Sequence, residues 1–159
     1  NTMGVRGITL RADDRVIGMV PINDGLNLLV VSEKGFGKRT EMSEYRSQSR
    51  GGKGLMTYRI AEKTGPLVKV ALVSDDQDLL LINDNGVVIR LAIKEIPVLS
   101  RVTQGVTLMR TKGCRIVDIA VVEHEENAPE DLILVHPEEG VSEGEDCSSE
   151  EYRIEPAED

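Results

Sequence analysis

Leu79-Leu-Leu-Ile-Asn-Asp-Asn-Gly-Val-Val-Ile-Arg90 decides the fold class. Two short aliphatic runs flank Asn83-Asp-Asn-Gly86, a cluster of turn formers. Branched side chains suit a pleated backbone, and Asn and Gly accept the dihedrals of a tight reversal, so the stretch reads as a β-hairpin. Working outward, the same unit occurs earlier as Leu28-Leu-Val-Val31 followed by the turn Glu33-Lys-Gly-Phe-Gly37. A further apolar run precedes each hairpin: Val16-Ile-Gly-Met-Val20 before the first and Leu67-Val-Lys-Val-Ala-Leu72 before the second. That run returns as Ile116-Val-Asp-Ile-Ala-Val121, with a weaker echo in Leu132-Ile-Leu-Val135. Tyr58-Arg-Ile60 is another strand candidate, while Ser43-Glu-Tyr45 and Lys94-Glu-Ile96 suit single helical turns. No helical stripe of ten or more residues is present.

The spacing of these units makes the chain an internal repeat of about 50 residues. Asn1-Thr-Met-Gly-Val5 recurs as Val102-Thr-Gln-Gly-Val106, and Gly52-Lys-Gly-Leu55 lies midway. About four strands per repeat predict an all-β fold, a pinwheel or propeller-like array of blades, each a four-stranded antiparallel sheet. The repeats fall at 1–54 and 55–105, with a partial third blade at 106–123. So few blades do not close a ring, so open edges favour pairing with another copy or with more of a longer chain. Residues 124–159 are rich in Glu, Asp and Ser and broken by Pro129, Pro137 and Pro156, the composition of a disordered acidic tail.

The net charge of −9 hides an asymmetry. Residues 1–115 hold 18 Lys and Arg against 12 Asp and Glu, and residues 116–159 hold 1 against 16. A mildly basic body with an acidic end points to nucleic-acid contact by the body. The two cysteines, Cys114 and Cys147, form no CxxC or Cys/His ligand pattern, so no zinc site or disulfide framework is expected, and a reducing, cytoplasmic location fits. No apolar run is long enough to span a bilayer and no signal peptide is recognisable, so no membrane partner is expected.

The motif with most chemical content is Gln48-Ser49-Arg50-Gly51-Gly52-Lys53-Gly54. Its glycines let the backbone turn tightly and present N–H groups to an anion, while Arg50 and Lys53 project positive charge. The plainer alternative is an inter-blade loop that only needs glycine. Gly35-Phe-Gly-Lys-Arg-Thr40 lacks the spacing and following helix of a nucleotide-binding loop. His124 and His136 are not spaced as metal ligands, and the acidic run Glu138 to Glu151 lacks EF-hand spacing. No nucleophile or acid/base constellation is found, so no catalytic residue and no metal site are expected.

These motifs resemble the C-terminal domain of the A subunit of bacterial DNA gyrase. That family's glycine-rich box reads Gln-Arg-Arg-Gly-Gly-Lys-Gly, and the chain matches six of its seven positions, with Ser49 in place of the first Arg. Glu33-Lys-Gly-Phe-Gly-Lys-Arg-Thr40 resembles the family's recurrent blade turn, Ser43-Glu-Tyr-Arg46 follows at its spacing, and Ser100-Arg-Val-Thr-Gln-Gly-Val106 resembles a degenerate box. The resemblance covers Asn1 to about Val122. It implies a β-pinwheel that wraps double-stranded DNA around a basic rim, a non-catalytic module supporting negative supercoiling. The implied phosphate contacts are Lys38, Arg39, Arg46, Arg50, Lys53, Arg90, Lys94 and Arg101, with Lys38 and Arg39 facing the outer rim and Arg110 and Lys112 as weaker candidates. The Ser49 departure implies a secondary box, with the principal one upstream, and the acidic tail would compete with DNA for the rim. The implied partners are the remainder of the gyrase A protein and the gyrase B protein. ATP and Mg belong to that parent complex, and this chain is expected to hold no cofactor. The related topoisomerase IV protein and a protein-binding propeller-type scaffold are the alternatives.

Overall fold

The computed structural model describes residues 3–23 and 25–125, together with the backbone of residues 133–134 and 155–156. The hairpins form where the aliphatic runs place them. Strands β1 (Asn27–Ser32) and β2 (Phe36–Glu41) make the first, and β4 (Gln77–Asn83) and β5 (Val87–Ala92) the second. Local chemistry closes each turn. The Asn83 side-chain oxygen accepts from the backbone N–H of Asn85 at 3.0 Å and of Val87 at 2.8 Å, and Ser32 Oγ, at the matching place one repeat earlier, accepts from Phe36 N–H at 3.2 Å. The two single turns are also present, as 3₁₀ turns at Met42–Glu44 and Ile93–Glu95.

The third run of each unit does not stay with its own hairpin. Strand β3 (Leu67–Val73) pairs antiparallel with β1, although its sequence belongs to the second repeat. Strand β7 (Ile116–Glu123), from the third repeat, pairs with β4 in the same way. Strand β6 (Val106–Thr107) adds to β2, β8 (Ile133–Leu134) adds to β5 at the matching position, and β9 (Glu155–Pro156) adds to β6. The two sheets therefore run β3-β1-β2-β6-β9 and β7-β4-β5-β8. Blades are built across the sequence repeats, and the first sheet has five strands where four were expected. Within residues 124–159, expected to be a disordered tail apart from the strand echo at 132–135, β8 falls on that echo and β9 stands in the first sheet; the remainder beyond residue 125 lies outside the described residues.

This exchange explains why the apolar run at residues 16–20 forms no strand. By the rule that places β3 and β7, residues 16–20 would lie on a hairpin preceding their own repeat, and the described residues contain none. Val16 is 66% and Met19 94% exposed, while Val20 packs beside Leu28, Val30 and Tyr58. Tyr58-Arg-Ile60 also forms no strand. The main core is aliphatic and shared by both sheets: Leu29 and Val31 meet Val73, Leu79, Leu81, Ile89, Ile93, Ile96, Met109 and Ile116. Alternation along β1 sends Leu29 and Val31 into that core and Leu28 and Val30 to the smaller cluster on its other face. Among the described residues no helix is long and apolar enough to cross a membrane.

Candidate nucleic-acid interface

The cations selected from the sequence separate into three environments. Lys38 and Arg39, expected at the outer rim, are buried: Lys38 is 0% and Arg39 4% exposed. The reason lies in the connector between the second 3₁₀ turn and β6. Residues 97–99 run alongside β2, with Arg39 N–H bonded to the Pro97 carbonyl at 3.1 Å and Leu99 N–H to the Arg39 carbonyl at 2.8 Å. Other carbonyls of this connector take their donors from the side chains of β2. Lys38 Nζ donates to the carbonyls of Ser100 and Arg101, Arg39 Nε to that of Ile96 at 2.7 Å, and Thr40 Oγ1 to that of Leu99 at 2.9 Å. Arg39 also pairs with Asp75. Burial, partly opposed by the Glu44 carboxylate and reinforced by the Arg101 charge, lowers the Lys38 pKa to about 8. Lys38 and Arg39 hold one blade to the next and present no charge to a ligand.

Arg90 and Arg101 are partly committed. Arg90 Nε lies 2.7 Å from the buried Asp78 carboxylate, which His124 Nδ1 approaches at 2.9 Å from its other oxygen. Arg101 is drawn inward as well, with Nε 3.9 Å from Glu44 and a guanidinium N–H donated to the Met56 carbonyl at 3.4 Å. The degenerate box of the second repeat is thus folded into the junction between blades.

Arg46, Arg50, Lys53 and Lys94 are exposed. Three of these four belong to the first box or its approach. Gly51 takes φ +76°, a region that favours glycine, and so turns the loop. The box leans on the start of the chain: Gly51 N–H donates to the Gly7 carbonyl at 2.9 Å, Thr9 N–H to the Gly52 carbonyl at 2.8 Å, and Thr9 Oγ1 to the Gly51 carbonyl at 2.7 Å. The Gly51 N–H is therefore spent inside the protein, and a bound anion would meet side chains there. The contact recurs one repeat later, where Arg59 N–H donates to the Thr103 carbonyl at 3.1 Å. Arg6, Arg11, Arg15 and Arg59 are exposed too, and the sequence reading passed over all four. The available signal was the absence of acid: residues 1–12 and 45–61 contain no Asp or Glu.

Chemically, this surface can attract and hold polyanions. Among the described residues no group of three His, Cys, Asp or Glu side chains could hold a metal ion. Cys114 is buried and its sulfur accepts from Asn85 Nδ2 at 3.0 Å.

The family model for the DNA gyrase C-terminal domain, beta-propeller, matches residues 1–23, 26–74 and 77–123. The DNA gyrase A protein of Staphylococcus aureus (strain MRSA252) is 40% identical over 130 residues, 80% of this chain and 15% of the relative. That of strain NCTC 8325 / PS 47 is 43% identical over 109 residues, 67% of this chain and 12% of the relative. The chain thus spans a small part of the curated relatives it matches. A solved DNA gyrase A C-terminal domain superposes with TM-score 0.58 at 27% identity, covering 60% of this chain and 33% of that one. The C-terminal domain of DNA topoisomerase IV superposes with TM-score 0.69 at 16% identity, covering 75% and 38%, a likeness of fold alone.

Proposed function

The chain belongs to the DNA gyrase C-terminal domain family, and from that membership we propose that it binds and bends duplex DNA along its basic surface, without itself catalysing a reaction. The observation that carries this reading is the exposed box, where Arg46, Arg50 and Lys53 stand on a stretch free of Asp and Glu. Contacts of this kind neutralise phosphates and carry little base information, which suits a surface that must hold any sequence. Bending a duplex costs on the order of several kcal/mol, so cations spread along a path are needed to offset it.

In this reading the parent is the gyrase A protein in the cytoplasm. The rest of that protein and its gyrase B partner would supply strand cleavage and the hydrolysis of ATP with Mg, and the domain would deliver the bent segment. The exposed Val16 and Met19 side chains support a further contact, with another part of the gyrase A protein or with a second copy. A duplex titration followed by anisotropy at two salt concentrations, with sedimentation of the same samples, tests the reading. Affinity should fall steeply with salt, on the order of tenfold or more between 50 and 200 mM. An absence of duplex binding at low salt would sink it.

A further inference from the structure

The box does not act as an isolated loop. Its residues 51–52 run beside residues 7–9, held by the three hydrogen bonds at Gly7, Gly51, Gly52 and Thr9. Gly7 faces Gly51 and Thr9 faces Gly52, so the two segments run in the same direction, and Arg6 precedes one contact as Arg50 precedes it on the other. Backbones hydrogen-bonded in this way lie about 5 Å apart. Arg6 is exposed, and no ion pair holds its side chain, or those of Arg50 and Lys53, among the described residues. The fold has therefore brought together two stretches without a carboxylate, residues 1–12 and 45–61. Like charges carried on adjacent backbone segments without a counter-charge repel one another, and a bound polyanion removes that repulsion.

We propose that Arg6 is a DNA-phosphate contact that acts with Arg50 and Lys53 as one composite site, built from the box and the segment laid against it. The inference rests on the duplex-binding reading above and adds to it a residue that the box motif does not contain. Two arginines on adjacent backbones can reach successive phosphates of one strand, whose charges are spaced about 3.4 Å along the axis. The next repeat provides the contrast. There the neighbouring segment offers Arg59 beside Thr103, but the box arginine, Arg101, is engaged by Glu44 and Met56. The first station is the stronger one.

The test is anisotropy of a labelled duplex with the 159-residue chain and its Arg6→Gln, Arg6→Lys and Arg50→Gln/Lys53→Gln variants, each across a salt series. Arg6→Gln should weaken binding roughly five- to tenfold at low salt and lower the slope of log affinity against log salt by about one. Arg6→Lys should bind like the parent chain, since it keeps the charge. If Arg6→Gln binds like the parent while the Arg50→Gln/Lys53→Gln variant is weakened, the composite site is wrong and duplex binding by the box stands. If Arg6→Lys is weakened as much as Arg6→Gln, Arg6 acts through structure and the inference fails. If the parent chain binds no duplex, both readings fall together.

Discussion

Lys38 Nζ donates to the carbonyl oxygen of Arg101 at 2.6 Å, so a buried ammonium in β2 fastens the connector that carries the second repeat's box. The consequence is that charge in this fold is divided between joining blades and facing outward.

That bond makes Lys38 a stability residue. Lys38→Met preserves length but leaves the Ser100 and Arg101 carbonyls without their donor, at a cost of about 1–3 kcal/mol readable in urea unfolding. The pH dependence has a definite sign. In the folded chain Lys38 loses its proton near pH 8, while the unfolded lysine keeps it to about 10.5. Between those values the unfolded state binds more protons, so this group's contribution to stability rises with pH across that window and is flat below it. Tyr45 and Tyr58, raised by burial, oppose it above about pH 10, because the unfolded tyrosines ionise first. Subtracting the Lys38→Met curve removes their part. The difference, parent minus variant, should climb from pH 8 to 10.5, and a flat difference would contradict a depressed lysine.

Gly105 sits at φ +76°, with the position of an added Cβ 2.3 Å from the Gly37 carbonyl oxygen and 2.7 Å from its carbon. Both obstacles are backbone, so neither yields to a rotamer change. Gly105→Ala should cost roughly 2–4 kcal/mol. Gly25, at φ +93° with nothing within 4 Å of its Cβ position, isolates the dihedral cost, and Gly25→Ala should cost only about 1–2 kcal/mol. Thermal unfolding of the pair separates clash from dihedral strain, and equal losses would remove the steric account.

The hairpins were legible because their evidence is local: aliphatic runs set the strands, and Asn83 or Ser32 closes the turn with its own side chain. The repeat was legible for the same reason. Strand exchange was not, since nothing in Leu67–Val73 says that it pairs with the hairpin behind it and not the one ahead. The cations were misread at Lys38 and Arg39 because a sequence displays donors without displaying the carbonyls that need them. Arg6 was missed because its neighbour in space, Arg50, lies more than forty residues away in the chain.

Arg90 and the box provide opposite outcomes from similar substitutions. The Asp78 carboxylate is 5% exposed and is held by Arg90 at 2.7 Å, with His124 on its other oxygen. Arg90→Ala leaves a buried carboxylate without its principal counter-charge, which should destabilise the fold by about 3–5 kcal/mol. Its effect on duplex affinity should be small in samples kept folded, because the guanidinium is already turned to Asp78 and to the Glu123 carbonyl. Arg50→Ala with Lys53→Ala removes exposed charge without uncovering any buried group, so unfolding free energy should stay within about 0.5 kcal/mol. Affinity at low salt should fall on the order of tenfold, and the salt slope by about two. Measuring urea unfolding and duplex anisotropy on both variants decides the assignment. If Arg90→Ala lost affinity while keeping its stability, Arg90 would belong to the interface after all, and the division between joining and facing charges would have to be redrawn.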